Sequence, residues 1–135
     1  MQTKCVLIID PELPLGLIAN TAAILGCSLG KIHPEINGDD LLDQEKHSYP
    51  GIVKIPIPVL KAVSSKVKEI QIETEKIEEI EVISFADCAQ TAKNYQEYAE
   101  KVQNSNHENI KLLGICLYST TKKVNHFAGS LSLLR

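Results

Sequence analysis

The run Lys4–Asp10, KCVLIID, decides the fold. Five consecutive apolar residues closing on an acid and Pro11 read as a strand buried on both faces, because a half-exposed strand would alternate. Such a strand belongs at the centre of a sheet. Behind the Asp10–Pro14 turn, Leu15–Leu29 is apolar almost all round and rich in Ala and Leu, which predicts a helix packed on that sheet and touched by other elements as well. Gly30, or Gly26, ends it.

Working outward, Lys31–Pro56 mixes Asp, Gly, His and Pro with only short alternating stretches, so an excursion holding a small hairpin is expected over residues 31–56. Pro58 fits the first turn of a second helix carrying Leu60, Val63, Val67 and Ile70. Glu81–Phe85, EVISF, is the next strand. Ala86–Gln103 reads as a third helix with the apolar stripe Ala89, Ala92, Tyr95, Ala99 and Val102. Lys111–Tyr118 is a strand, Ser119–Lys123 a hairpin turn, and Val124–Leu134 the returning strand. The fold class expected is α/β: a mixed, mostly parallel four-stranded sheet with helices on its faces, in one domain over residues 1–135. In open sheets of this kind ligands sit at the C-terminal ends of the strands.

The 135 residues are 44% hydrophobic and 23% charged, ordinary values for a globular chain. The longest apolar stretch, Leu13–Leu29, is interrupted by Pro14, Gly16, Asn20, Thr21 and Gly26, so no membrane span is expected. No export signal is evident at Met1–Asp10. Cys5, Cys27, Cys88 and Cys116 lack a Cys-x-x-Cys spacing and read as reduced thiols of a cytoplasmic protein. With a net charge of −3 and lysines interleaved with glutamates from Lys61 to Glu81, nucleic-acid binding is disfavoured.

Several stretches resemble the bacterial family called domain of unknown function 2000. They are IIDPELPLGLIANTAAILG at Ile8–Gly26, GIVKIPIPVL at Gly51–Leu60, the helix entry at Phe85–Tyr98, and GICLYSTTKKVNHFAGSLSLL at Gly114–Leu134. The resemblance implies a fold similar to the type II peptidyl-tRNA hydrolases. Those enzymes carry Lys, Gln and His on the first helix, and the positions that match here are Leu17, Thr21 and Ile24. The resemblance therefore implies the scaffold without the hydrolase chemistry.

Two candidate sites emerge. The first is the turn and helix start, Asp10 and Gly16 with Asn20 and Thr21, where a helix N-terminus offers unpaired N–H groups and where Asn20, an amide in an apolar helix, needs partners if buried. The second is the excursion, where Asp43 and His47 could form an acid–base pair. Asp39, Asp40, Asp43, Glu45 and His47 lack the spacing of a calcium loop, so no metal and no cofactor is expected. Cys88 at a helix entry is a weaker candidate nucleophile. The expected function is non-catalytic binding of a small molecule or a protein, with an enzyme of unrecognised type or an oligomeric scaffold as alternatives. A homodimer is expected through Val124–Leu134, an apolar strand that would otherwise leave a bare sheet edge.

Overall fold

The computed structural model describes residues 2–88 and 92–135. β1 (Thr3–Ile9) lies inside the sheet, and Cys5–Ile9 are all buried. β4 (Val59–Lys61) runs parallel to it on one side, and β6 (Leu112–Thr120) runs antiparallel on the other. β5 (Glu81–Ala86) lies antiparallel to β6, giving the order β4-β1-β6-β5. The four-stranded sheet is therefore mixed, as the sequence implies, but mostly antiparallel. Only β1 and β4 are joined in parallel, because the helical segment between β5 and β6 turns the chain back instead of carrying it across.

Four α-helices are present among the described residues: α1 (Leu15–Ile32), α2 (Ser64–Glu75), α3 (Tyr95–Gln103) and α4 (Thr121–Ala128). Leu25 and Leu29 of α1 cover one face of the sheet, meeting Leu7, Ile9, Phe85 and Cys116. Val67 and Ile70 of α2, with Val124 and Ala128 of α4, cover the other, over Val6, Ile8, Ile115 and Leu117. By length and composition α1 is apolar enough to cross a membrane, with a mean hydropathy of 1.5 over 18 residues, more than its interruptions suggest. Here it packs on the sheet.

Four expectations are corrected. Pro58 does not open a helix. It sits in extended chain, its carbonyl accepts from Leu7 N at 2.9 Å, and the strand β4 follows before α2 begins at Ser64. Leu60 and Val67 fit a helical spacing by coincidence, since one is on the strand and the other on the helix. Val124–Leu134 is not a strand, nor is Ser119–Lys123 a hairpin. β6 runs on to Thr120, whose side chain accepts from Lys123 N and caps α4. The spacing Val124, Phe127, Ala128 is helical, and only Ser130–Leu133, beyond the helix, alternates. Nor does one helix fill Ala86–Gln103: β5 extends to Ala86 and α3 starts at Tyr95. Residues 89–91, with Ala89 of the expected stripe, lie outside the described residues.

The excursion forms an arm. A 3-10 turn at Pro34–Ile36 leads to paired chains closed by the bridge Asn37–Val53 and by Gly38 N donating to Ile52 O at 2.8 Å. Beyond lie β2 (Leu41–Leu42) and β3 (Ser48–Tyr49), both exposed. At the base of the arm a Cβ on Gly51 would collide with the Gly38 carbonyl oxygen. Gly51→Ala is accordingly expected to cost about 1–3 kcal/mol, or to spread the arm, by the usual cost of overpacking. Thermal unfolding, with amide exchange at Gly38, reads it; an unchanged melting temperature and an unchanged Gly38 would contradict this packing.

Candidate functional site

Helical geometry separates two adjacent side chains of α1. Thr21 points inward, fully buried, donating its hydroxyl to Leu17 O at 2.8 Å. Its methyl lies over Gly114, where a Cβ would stand 3.0 Å from it. Asn20, about 100° away around the helix, points outward and is exposed. With Ile24 and Ser28, one and two turns on, it forms one wall of a groove of about 450 Å³. Ser84 and Phe85 of β5 make the floor, and Ala92, Lys93, Asn94, Tyr95 and Tyr98 the opposite wall.

That wall is ordered by a few bonds. Asn94 caps α3 by accepting from Glu97 N at 2.8 Å. The Tyr98 hydroxyl accepts from Ala86 N at 3.4 Å, and its ring stands edge-on to Phe85, centroids 6.2 Å apart. Burial pushes the Tyr98 hydroxyl pKa up, which keeps it a neutral donor. Tyr95 is 84% exposed. The stripe Tyr95, Ala99 and Val102 thus faces outward, and Tyr98 is the residue that packs. The groove combines aromatic and apolar surface with amides, hydroxyls and the ammonium of Lys93, a composition typical of small-molecule sites. Asn20 makes no side-chain hydrogen bond among the described residues, so its amide is available to an occupant.

The other sequence candidates fall elsewhere. Asp10 is 3% exposed, and its Oδ1 accepts from Glu12 N at 2.9 Å, which holds the turn before α1. Gly16 is exposed with open space where a Cβ would go. In the arm, Asp43 Oδ1 accepts from Glu45 N and His47 N at 2.9 and 2.8 Å, and Oδ2 accepts from the Tyr49 hydroxyl at 3.2 Å. Its carboxylate is used by the turn, where Lys46 takes a left-handed φ of 65°, and the His47 ring lies edge-on to Tyr49. Asn20 lines the groove while Asp43 and His47 do not, so the two candidate regions do not converge there. Lys93, Tyr95, Tyr98 and Ser84 escape sequence reading. The signal available is Tyr95 and Tyr98 at i, i+3 after a polar Lys-Asn cap, of which the sequence pattern places only Tyr95, on an apolar stripe.

A second cavity of about 460 Å³ lies at the opposite end of β5, lined by Thr3, His33, Glu78, Glu81 and Tyr118 among others. The His33 ring stacks on Tyr118 at 4.4 Å, with Nδ1 3.0 Å from Glu35 and Nε2 3.6 Å from Glu81. A backbone hydrogen bond first, and then His33, hold the Glu35 carboxyl below its ordinary pKa. Among the described residues no three His, Cys, Asp or Glu side chains are grouped to hold a metal ion.

The family model for proteins of unknown function called DUF2000 matches residues 3–135. A segment of 97 residues is 33% identical to shugoshin-2 of Schizosaccharomyces pombe; it covers 72% of this chain and 14% of that protein. The solved structure of Atu0240, a protein of unknown function from Agrobacterium tumefaciens, superposes with a TM-score of 0.90 over 98% of both chains at 17% identity. That likeness shows the fold.

Proposed function

Since the chain belongs to the DUF2000 family of proteins of unknown function, we propose that it is a non-catalytic binding domain whose occupant lies in the groove between α1 and α3. The observation that carries the proposal is the outward Asn20, unbonded, in a groove with apolar and aromatic walls. A groove of this size suits a small molecule carrying a flat apolar part and hydrogen-bonding substituents, with Lys93 favouring an anionic one. The resemblance to type II peptidyl-tRNA hydrolases enters as a scaffold: Leu17, Thr21 and Ile24 supply no acid, base or cation. An enzymatic reading needs the acid–base pair of Asp43 and His47 beside Asn20, and neither residue lines the groove that holds Asn20. Recurrence of the segment as 14% of a much longer protein favours a module that binds. Four free cysteines, with Cys5 and Cys116 buried as thiols, fit a reducing cytoplasm.

A thermal-shift screen against carboxylate, phosphate-ester and heteroaromatic metabolites tests this. Asn20 is exposed, so Asn20→Leu is expected to keep the unliganded stability within about 0.5 kcal/mol. Compounds that stabilise the parent protein by several degrees are expected to leave the variant unmoved; shifts of equal size in both would refute the groove.

A further inference from the structure

We infer that β5 pairs antiparallel with the β5 of a second copy of this chain, merging two four-stranded sheets into one. This goes beyond the groove reading and stands even if the groove binds no small molecule. The sheet has two outer strands; among the described residues the C-terminal tail covers one, and α3 meets the backbone of the other at Ala86. Along β4, Lys61 N donates to Ser132 O at 3.0 Å and Leu134 N to Val59 O at 2.9 Å, so the C-terminal tail closes that side. The homodimer contact expected at Val124–Leu134 is therefore not available as a free strand. β5 has β6 on one flank and no strand on the other among the described residues.

The ladder fixes which groups are bare. Asp87 N donates to Lys111 O, towards β6, whereas Ala86 N donates to the Tyr98 hydroxyl, away from it. Main-chain groups of successive strand residues alternate in direction, so Val82 and Ser84 turn their N–H and C=O outward. Natural edges are blunted by lysine, proline or a bulge. Val82-Ile83-Ser84 has neither residue, and the irregularity of the ladder lies beyond it, at Phe85/Ala86.

Charge selects the occupant and its direction. Glu78, Glu79 and Glu81 gather at one end of β5, where Lys123 lies 4.0 Å from Glu79 and His33 3.6 Å from Glu81, leaving that end net acidic, and Lys93, exposed and without an ion pair among the described residues, stands near the other, beside Phe85. An antiparallel second copy, two-fold about Ile83, sets Val82 against the partner's Ser84 and Ser84 against the partner's Val82, with hydrogen bonds exchanged in both pairs. Glu81 then comes opposite the partner's Phe85, at the end where the partner's Lys93 stands, and the complement is made twice. A parallel copy would set acid against acid. Ser84 also lines the groove, so the partner strand becomes part of its rim.

Sedimentation equilibrium and amide exchange by NMR on the unmodified protein test the inference at low micromolar and near-millimolar concentration. The mass is expected to rise from one chain of 14.9 kDa to two. Over the same range the Val82 and Ser84 amides are expected to slow by about tenfold or more while Leu42, at the tip of the arm, does not change. A single-chain mass at the higher concentration, or a dimer in which Val82 and Ser84 exchange as they do when dilute, would overturn it. Lys93→Glu is expected to weaken association several-fold and Lys93→Glu with Glu81→Lys to restore it; a Lys93→Glu dimer as tight as the parent would overturn the antiparallel arrangement. Metabolite binding is read on the dilute monomer, so failure of either proposal is seen separately.

Discussion

At alkaline pH the protein is expected to lose stability through one thiol, Cys116. It sits fully buried at the centre of β6, and burial first, then the nearby Cys5 and Glu81, push its pKa up from 9.0 to about 12. In the unfolded chain the thiol ionises near its ordinary value, whereas in the fold it stays protonated. The neutral thiol's contribution is therefore complete below about pH 9 and is lost as pH climbs from there towards 12. At 1.36 kcal/mol per unit, the loss is about 2 kcal/mol by pH 10.5 and roughly 4 kcal/mol at the end of the window. Urea unfolding at pH 8 and at pH 10.5, on the parent and on Cys116→Ala, isolates the effect from other alkaline titrations. The parent is expected to fall by about 2 kcal/mol more than the variant over that interval; parallel losses would contradict the burial of this thiol. Cys27, exposed on α1, is expected to alkylate in the folded protein while Cys116 does not.

Leu25→Ala is the second large effect. Leu25 is 1% exposed and, with Leu29, fastens α1 to the sheet over Leu7, Ile9 and Cys116. Removing a buried leucine side chain costs about 2–5 kcal/mol, lost transfer plus the cavity left behind. For a domain of this size that lowers the melting temperature on the order of 10 °C. The consequence reaches the groove, since Leu25 holds the helix whose outer side carries Asn20, Ile24 and Ser28. Calorimetry of the variant beside Asn20→Leu separates the two faces of α1. A large loss for Leu25→Ala and none for Asn20→Leu is the expected pattern. Equal losses would mean that Asn20 supports the fold.

β1, α1 and β5 are legible in the sequence because each has an uncomplicated signal: an unbroken apolar run, a long Ala- and Leu-rich stretch, and a short β-branched run. β4 is hidden, three residues long beside a proline, and only its pairing with β1 makes it a strand. Strand direction is equally invisible, because whether the chain crosses the sheet or turns back depends on where the helix between β5 and β6 packs. α4 is misread since Val124–Ala128 is joined to the alternating Ser130–Leu133 that follows it, although its own spacing is helical and the Thr120 cap starts a helix there. At the site, an amide inside an apolar helix marks Asn20, but the reason differs: Asn20 is exposed, and it is Thr21 beside it that is buried. The groove's other wall is assembled from β5 and α3, segments distant in sequence from Asn20, so nothing local in either reports the other.

The groove is tested most directly by native mass spectrometry of the full chain purified gently from its own cells, alongside Asn20→Leu prepared the same way. The account predicts a small-molecule adduct on the parent that is absent from the equally stable variant. Parent protein that emerges without an adduct, or an adduct retained in full by Asn20→Leu, would contradict it.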